Sequence, residues 1–206
     1  MNAEIKTWFP TSIYTQKDFL MEEERSYIEN EILTIDKTLP TIENDWQSDV
    51  KNSERSFDVL ADNRFERLKT KIIQSTTNFA KELGSNASHT IHSSWYNIYY
   101  KDDFQEYHNH PNSIFSAVYN VTSPKDSGLL VFENPVEEMI TLKNHTPNEL
   151  SYGTIKYNLP PNTLIIFRSN IRHMVTRCKN TTPRITIAAN LKWYTIYLKY
   201  PFGLKT

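Results

Sequence analysis

The chain has 206 residues, 38% of them hydrophobic and 13% aromatic, which is enough for one folded domain with a sizeable core. Its 23 basic and 24 acidic residues give a formal net charge of −1 at pH 7, and this balance argues against a general electrostatic grip on nucleic acid or an anionic membrane. The single cysteine, Cys178, excludes an internal disulfide, and with no signal-like or transmembrane-length apolar run we expect an intracellular, cytoplasmic protein.

The first 86 residues predict supporting elements. Residues 1 to about 20 mix aromatic and β-branched side chains and predict an early strand. The run "MEEERSYIENEILTIDKTL" predicts a helix with acids in its first turn, where the helix dipole favours negative charge. In "NRFERLKTKIIQSTTNFAKELG" the apolar residues from Phe65 to Leu83 recur three, four or seven apart, and Gly84 is placed to end the helix.

The remainder of the chain, residues 87–206, predicts an all-β core. After Asn86 come short runs of alternating or β-branched residues, separated by Asn, Asp, Pro and Gly: "TIHSSWYNIYY", "SIFSAVYNV", "GLLVFEN", "EMITLK", "TIKYNL", "TLIIFRS", "HMVTR" and "RITIAANLKWYTIYLKY". About eight short strands at this spacing favour a sandwich, jelly roll or barrel. We therefore expect one domain over residues 1–206, mainly β, with N-terminal helices packed against that core.

Two of the six histidines lie one residue apart in "QEYHNHPNS". On an extended chain, His108 and His110 share a face and can bind one metal ion. The same pair is also typical of a polar loop that only forms hydrogen bonds. The motif therefore needs support from elsewhere in the chain.

A third histidine follows a hydrophobic strand. In "LIIFRSNIRHMVTR", His173 opens a new strand after the loop "RSNIR", and a histidine in this position is by itself more typical of a structural role. Cys178, five residues further on, is interpreted as a small structural side chain in preference to a thiolate ligand. We interpret His145 as an ordinary loop histidine, and we expect His89 and His92 at the surface.

The strand "PRITIAAN" supplies a third element. Its even-numbered residues from Arg184 to Asn190 share one face, and the apolar odd-numbered residues between them share the face that fits the helices. An arginine that faces the interior of a closed β fold needs a partner, and a small carboxylate bound by two hydrogen bonds is one. With a turn in "KNTT", His173 would pair near Ile187 in a hairpin. Arg184 would then lie about 10 Å along the strand, a gap that a five-carbon diacid can span.

These motifs, taken in order, resemble a known family. The series "SSWYNIYYKDDFQEYHNHPNSIFSAVYNV", "SGLLVFENP", "LPPNTLIIFRSNIRHMV" and "PRITIAANL" is similar to the 2-oxoglutarate and Fe(II)-dependent oxygenases. The nearest branch is the one found in phages and marine bacteria, whose pattern runs W-x-N, H-x-H-P-x-S, S-G-x-Y-Y, a distal H and R-I-S. The resemblance covers residues 88–192, with weaker support from "WFPTSIY" and "NDWQS" upstream.

The resemblance implies a double-stranded β-helix core, the jelly-roll architecture that cupins also have. It implies that His108 and His173 bind iron, and that Arg184 and Thr186 bind the distal carboxylate of 2-oxoglutarate. Further neighbours of the metal or cosubstrate are expected at Asn97, Tyr99, Ser116 and Tyr119. The implied activity is that of a dioxygenase that uses Fe(II), 2-oxoglutarate and O₂, with hydroxylation of an unidentified substrate as the default outcome.

One position departs from the wider superfamily, whose motif is H-x-D or H-x-E. Here the second position of the motif is His110, so the expected triad of His108, His110 and His173 lacks the usual carboxylate. Imidazole suits iron, and the spacing of the motif preserves the geometry. The site would lose one negative charge, which should alter its metal affinity and redox potential.

Alternatives to this ligand set and to this function stay open. His110 can be the first ligand with Asn112 in the carboxylate position, or a carboxylate can come from outside the motif, at Glu106 or Glu133. A three-histidine cupin-like dioxygenase would bind its substrate directly and would have no need of Arg184 as a 2-oxoglutarate anchor. A jelly-roll binding module would have no catalytic metal. The substrate is an unidentified small molecule or protein, and exposed edge strands make a homodimer reasonable.

Overall fold

The computed structural model describes residues 3–7, 9–40, 42, 45–136, 146 and 148–194. Within these ranges the chain forms helices α1 (Glu22–Thr38) and α2 (Glu66–Glu82), with short 3-10 turns before α2 at Val59–Ala61 and Asn63–Phe65. The strands are β1 (Ile13–Gln16), β2 (Lys51–Asn52), β3 (His89–Tyr99), β4 (Gln105–His108), β5 (Phe115–Thr122), β6 (Leu130–Glu133), β7 (Thr154–Tyr157), β8 (Thr163–Arg168), β9 (His173–Val175) and β10 (Arg184–Trp193). No helix in these ranges is long and apolar enough to cross a membrane.

Both predicted helices are present, and each buries an apolar stripe. α1 has three glutamates in its first turn and buries Ile28 and Ile32. α2 buries Leu68 and Ile72, one turn apart. Gly84 follows α2 with a φ of +83°, the left-handed conformation that glycine adopts most readily at the end of a helix. The apolar periodicity of the sequence thus places both helices correctly.

The strands form two antiparallel sheets. One has six strands in the order β1-β8-β5-β10-β3-β2, and the other has four strands in the order β4-β9-β6-β7. From β3 to β10 the chain crosses from one sheet to the other after every strand except β6, which pairs with β7 in the same sheet. This winding is that of a double-stranded β-helix, and it confirms the predicted fold class.

The six-stranded sheet is covered on both faces by apolar side chains. Residues of α1 and α2 pack on one face, where Ile32 and Ile72 belong to the same buried cluster as Ile187 of β10. On the other face Phe167 of β8 belongs to a second buried cluster, together with Phe132 of the four-stranded sheet. One face of the sheet therefore anchors the helices, and the other faces the second sheet.

Strand β10 shows how this division positions functional side chains. Its odd-numbered residues from Ile185 to Leu191 lie in the helix-facing core, as the sequence predicted. Its even-numbered residues from Arg184 to Asn190 line a cavity on the opposite face. Because side chains alternate along a strand, burial of the apolar set against the helices fixes the direction of the polar set.

Two expectations from the sequence are wrong. His173 and Arg184 do not form a hairpin, because β9 pairs with β4 and β6, whereas β10 pairs with β3 and β5 in the other sheet. His89 is not a surface residue, since it is 5% exposed and its ring packs between Phe115 and Trp193. The predicted strand "EMITLK", the end of the last predicted strand after residue 194 and His145 lie outside the described residues.

Candidate functional site

Three histidines meet at one end of the space between the sheets. One potential ligand nitrogen from each of His108, His110 and His173 lies within 4.8 Å of the others. His108 is the last residue of β4 and His173 the first of β9, and the two are paired in register across the four-stranded sheet. His110 follows in the next loop, where its backbone N–H donates to the Ser169 carbonyl at 3.0 Å. The pairing of β4 with β9 and the backbone hydrogen bond of His110 therefore bring the three rings together.

Hydrogen bonds orient two of these rings. Nδ1 of His108 lies 2.7 Å from the carbonyl oxygen of Glu106, and Nδ1 of His173 lies 2.9 Å from that of Ile171. A carbonyl oxygen can only accept, so Nδ1 carries the proton in both rings and Nε2 keeps a free lone pair. Such partners behind a histidine fix the tautomer that a metal ion requires.

Burial keeps the three imidazoles neutral. It lowers the pKa of His110 to about 4, with a smaller contribution from His108. It also lowers the pKa of His173 well below the usual value, and that of His108, where the hydrogen bond to the Glu106 carbonyl partly offsets the effect. Neutral imidazoles are the form that binds a divalent cation, so the donor set fits a transition metal such as Fe(II).

The alternative ligands fit this geometry less well. Asn112 is exposed, has a φ of +65° and is not among the residues that line the cavity. Glu106 accepts a hydrogen bond from the Gln47 backbone, and Glu133 pairs with Arg172 at 2.8 Å. Neither carboxylate joins the histidine cluster among the described residues.

Arg184 is buried in the same cavity. It is 2% exposed, and its Nη1 donates to the carbonyl oxygens of Ser127 at 3.1 Å and Gly128 at 3.4 Å. Its Nε is buried without a hydrogen-bond partner, and no carboxylate of the described residues forms an ion pair with it. A buried guanidinium with an unused donor is costly unless an anion completes its hydrogen bonds. The site therefore fits a ligand that carries a carboxylate.

A cavity of about 410 Å³ connects the histidines with Arg184. The polar side chains of its wall form a chain of hydrogen bonds, in which Tyr99 Oη donates to Gln105 Oε1 at 2.5 Å and Asn97 Nδ2 donates to Thr186 Oγ1 at 3.3 Å. Burial raises the pKa of Tyr99 well above its usual value, so the phenol stays protonated and remains a donor. The cavity thus has a metal-binding end and an anion-binding end.

Four of the six predicted cosubstrate neighbours line this cavity, namely Arg184, Thr186, Asn97 and Tyr99. Ser116 lies beside it, where its hydroxyl donates to the side chain of the cavity residue Asn190 at 2.9 Å. Tyr119 does not reach it, and this part of the prediction is wrong. Odd-numbered residues of β5 face the helices, so Tyr119 packs against Phe19 and bonds to Asn162 at 2.9 Å.

The sequence did not identify Gln105 as a cavity residue. A register shift in the pairing of β4 with β9 lies between Gln105 and His108, which pair with Val175 and His173. The four residues 105–108 of β4 therefore lie opposite the three residues 173–175 of β9, and both Gln105 and His108 line the cavity. Regular alternation would have placed them on opposite faces, so a bulge of this kind has no signal in the period of the sequence.

Aromatic rings pack against each of the three histidines. The ring centre of Trp46 lies 4.8 Å from that of His108, and the ring centre of Trp95 lies 5.5 Å from that of His110. Phe167 packs against His173 at 4.7 Å. Trp95 lies in a strand that the sequence predicted, whereas Trp46 comes from a polar loop without periodicity. These rings restrict the histidines and shield them from water.

Cys178 has a structural role, as expected. Its buried thiol donates to the Ser127 carbonyl at 3.0 Å, and burial raises the pKa of the thiol to about 11. It is not part of the histidine cluster. The thiol instead supports the turn whose carbonyls accept hydrogen bonds from Arg184.

Residues 93–190 match the family model described as "Putative 2OG-Fe(II) oxygenase". This range runs from β3 into β10 and contains the three clustered histidines together with Arg184. None of the curated proteins gives a significant match to the sequence.

Solved structures with the same fold come from several organisms. A prolyl-4-hydroxylase from Pseudomonas putida aligns over 90% of this chain and 94% of its own, with a TM-score of 0.61 and 13% identity. HygX from Streptomyces hygroscopicus, with nickel and 2-oxoglutarate bound, aligns over 88% and 82%, with a TM-score of 0.62 and 11% identity. A Trichoplax adhaerens prolyl hydroxylase, in complex with a hypoxia inducible factor peptide fragment, aligns over 88% and 83%, with a TM-score of 0.61 and 14% identity. The chain is thus similar over residues 93–190 to the 2-oxoglutarate- and Fe(II)-dependent oxygenases, and it shares the fold of these solved structures.

Proposed function

We propose that this chain is an Fe(II)- and 2-oxoglutarate-dependent dioxygenase and that it hydroxylates its substrate. The observation that carries the proposal is the presence of both ends of a cosubstrate site in one cavity. Three neutral imidazoles stand at one end, and a buried arginine with an unpartnered donor stands at the other. A metal-binding module without a cosubstrate would have no use for the second feature.

In this proposal His108, His110 and His173 hold the iron through Nε2 or the equivalent free nitrogen. The carbonyls of Glu106 and Ile171 hold two of the rings in the required tautomer. Three side-chain ligands would leave room at the ion for a cosubstrate and for O₂. The set lacks the carboxylate of the usual facial triad, so the protein contributes one negative charge fewer to the iron.

Arg184 and Thr186 bind the distal carboxylate of 2-oxoglutarate in this proposal, with Tyr99 and Asn97 as neighbours. The Nε–H of Arg184 would donate a charge-assisted hydrogen bond to that carboxylate, and the Tyr99 phenol keeps its proton. When bound, the iron and 2-oxoglutarate supply the oxidising chemistry, in which 2-oxoglutarate becomes succinate and CO₂ while one oxygen atom of O₂ enters a substrate C–H bond. The protein positions the reactants and excludes water.

Anaerobic titration with Fe(II) and 2-oxoglutarate tests the proposal. We expect the weak visible charge-transfer band of a chelate, and succinate release once O₂ and a substrate are supplied. Absence of the band, together with no effect of Arg184→Ala on 2-oxoglutarate binding, would contradict the assignment. Substrate oxidation without succinate would instead identify a three-histidine dioxygenase that binds its substrate directly.

The substrate is proposed to be a small molecule or a protein side chain. The solved structures with this fold include one bound to a peptide fragment and one bound to hygromycin B, so both classes are compatible with the architecture. Succinate formation over a panel of peptides and small molecules would separate the two classes. We further propose that the chain is a single domain, that it is intracellular and that it forms homodimers. Limited proteolysis tests the first of these proposals, cell fractionation the second and light scattering the third.

A further inference from the structure

The cavity that contains the three histidines also has one acidic side chain in its lining. Apart from histidines, the described residues of this lining include only two that are formally charged, Glu54 and Arg184. Arg184 is buried at the anion-binding end, whereas Glu54 is exposed. The two opposite charges therefore lie in different surroundings, one enclosed by the protein and one open to solvent.

Strand pairing places Glu54 on the same face of the sheet as Trp95. The last strand in the order of the six-stranded sheet is β2, which pairs with β3. The backbone N–H of Ser53 donates to the Tyr96 carbonyl at 3.1 Å, so the chain still runs beside β3 at the residue before Glu54. Because side chains alternate along paired strands, Glu54 falls on the face that carries Trp95, and both residues line the cavity.

The Glu54 carboxylate has no cationic partner in the part of the chain that the structure describes. It is a member of none of the ion pairs found there. Its neighbour Arg55 pairs instead with Asp45. His92, which lines the same cavity, is hydrogen bonded through Nε2 to Ser113 Oγ at 2.8 Å. The carboxylate is therefore available to a positively charged group that enters the cavity.

Two indoles line the same cavity beside the proposed metal ligands. The ring centre of Trp95 lies 5.5 Å from that of His110, and the ring centre of Trp46 lies 4.8 Å from that of His108. The centres of these two imidazoles are 5.2 Å apart, so both indoles border the same part of the cavity. A cation is attracted to the face of an aromatic ring, and tryptophan attracts it most strongly. Indoles together with an unpaired carboxylate therefore favour a cationic group over a neutral or anionic one.

We propose that Glu54, Trp46 and Trp95 form the substrate subsite and that the substrate carries an alkylammonium or guanidinium group. The inference rests on the proposed function, in which Arg184 binds the cosubstrate. The charges of the 2-oxoglutarate dianion and the metal dication cancel, so the charge of Glu54 stays uncompensated at the open side of the cavity. An anionic substrate would find no second arginine or lysine in the described lining. The cationic group can belong to a small amine or to a lysine or arginine side chain.

Two pairs of probes test the preference for positive charge. Pentylamine and pentan-1-ol have similar size and shape, but only the amine is charged at pH 7. Nα-acetyl-lysine methylamide and its norleucine counterpart make the same comparison with a peptide backbone added. Binding is followed on the full chain without metal, through the NMR shifts of ¹⁵N-labelled indole groups. Trp46→Phe and Trp95→Phe identify the two signals that matter.

We expect each amine to shift both indole signals and to bind more tightly than its neutral counterpart. Glu54→Gln should weaken amine binding by about two- to fivefold, the effect of losing an exposed ion pair, and should leave binding of the neutral probes unchanged. Asp49→Asn is the matched control. Asp49 is also an exposed acid, but it lines a neighbouring cavity of about 400 Å³ and not this one. Its replacement should therefore change amine binding less.

Equal binding of the charged and neutral probes would overturn the inference, and so would equal weakening by Glu54→Gln and Asp49→Asn. Tighter binding of the lysine amide than of pentylamine would support a protein side chain as the source of the charge, whereas equal or weaker binding would support a small amine. Succinate release with neutral or anionic substrates alone would overturn this inference but leave the proposed function intact. Failure to bind Fe(II) and 2-oxoglutarate would contradict the proposed function, while the metal-free binding test would remain valid.

Discussion

Arg184 and Tyr99 are directly opposed residues on β10 and β3, and the guanidinium carbon of Arg184 lies 5.2 Å from the centre of the Tyr99 ring. The aromatic face and the carbonyls of Ser127 and Gly128 hold the guanidinium while leaving its Nε unpartnered. The protein's own groups thus hold the arginine in place. Such preorganisation reduces the entropy that a bound carboxylate costs.

Replacement of Arg184 should act on cosubstrate binding and leave the metal in place. Loss of a hydrogen bond to a charged group costs about 2 to 3 kcal/mol, so Arg184→Gln should raise the KM for 2-oxoglutarate by roughly 30- to 150-fold. Arg184→Lys keeps the charge but loses the planar guanidinium. Its KM for 2-oxoglutarate should therefore lie between those of the parent and of Arg184→Gln. Succinate assays give the KM, and Co(II) titration checks the metal. An unchanged KM in Arg184→Gln would exclude this carboxylate site.

Substitutions at His110 decide whether it is the third ligand. His110→Ala should lower Co(II) affinity by more than about tenfold, since even partners behind metal ligands change affinity by about 10- to 100-fold. His110→Asp restores the usual two-histidine, one-carboxylate set and should bind Co(II) more tightly than His110→Ala. Asn112→Ala, in the exposed turn, is the control and should bind like the parent. If Asn112→Ala lost more Co(II) affinity than His110→Ala, the alternative ligand set, with Asn112 in the carboxylate position, would be favoured.

Gly128→Ala should destabilise the protein and disturb the Arg184 site. Gly128 has a φ of +78°, and an added Cβ would lie 2.5 Å from the Thr176 carbonyl oxygen and 2.9 Å from Cys178 Sγ. Left-handed strain and overpacking together should cost roughly 2 to 4 kcal/mol of unfolding free energy.

Gly84→Ala is the matched control for that experiment. Gly84 has a similar φ of +83°, but nothing lies within 4 Å of an added Cβ. Gly84→Ala should therefore lower the unfolding free energy only by the backbone strain, about 1 to 2 kcal/mol. Denaturant unfolding of the two variants measures the difference. Equal losses would show that the close contacts at Gly128 relax at no cost.

His89 should make the protein less stable in mild acid. Burial lowers the pKa of His89 below its usual value, and both ring nitrogens are buried without hydrogen-bond partners. The unfolded chain therefore binds a proton near pH 6.5 that the folded chain refuses, and stability falls as the pH drops below that value. One such group contributes at most about 1.4 kcal/mol per pH unit.

His89→Phe removes this proton uptake while keeping an aromatic ring between Phe115 and Trp193. Its unfolding free energy should change less between pH 7 and pH 5 than that of the parent. The buried site histidines titrate in the same direction in both proteins, so the difference between the two curves belongs to His89. Parallel curves would show that the folded protein accommodates the charge at position 89.

The parts of the structure that follow from periodicity could be predicted from the sequence. The helices and the two faces of β10 depend on local alternation of apolar and polar residues, and these predictions are confirmed. The order of the histidine motif, His173 and Arg184 correctly indicated one shared cavity. None of these inferences needed knowledge of which strands pair.

The parts that depend on pairing could not be predicted. The expected hairpin between His173 and Arg184 was wrong because nothing local tells which sheet a strand joins. Tyr119 was misplaced because a motif gives the order of residues along the chain but not which way a strand's side chains face. The bulge that turns Gln105 inward and the loop that brings Trp46 to His108 arise only from tertiary packing.

The two ends of the cavity belong to different sheets. His108 and His173 lie on strands of the four-stranded sheet, whereas Arg184 lies on β10 of the six-stranded sheet. The separation between metal and guanidinium is therefore set by the side chains packed between the sheets, such as Phe132 and Phe167. The thickness of this apolar layer then decides which length of dicarboxylate fits, so chain-length preference can change through residues that contact neither end of the ligand.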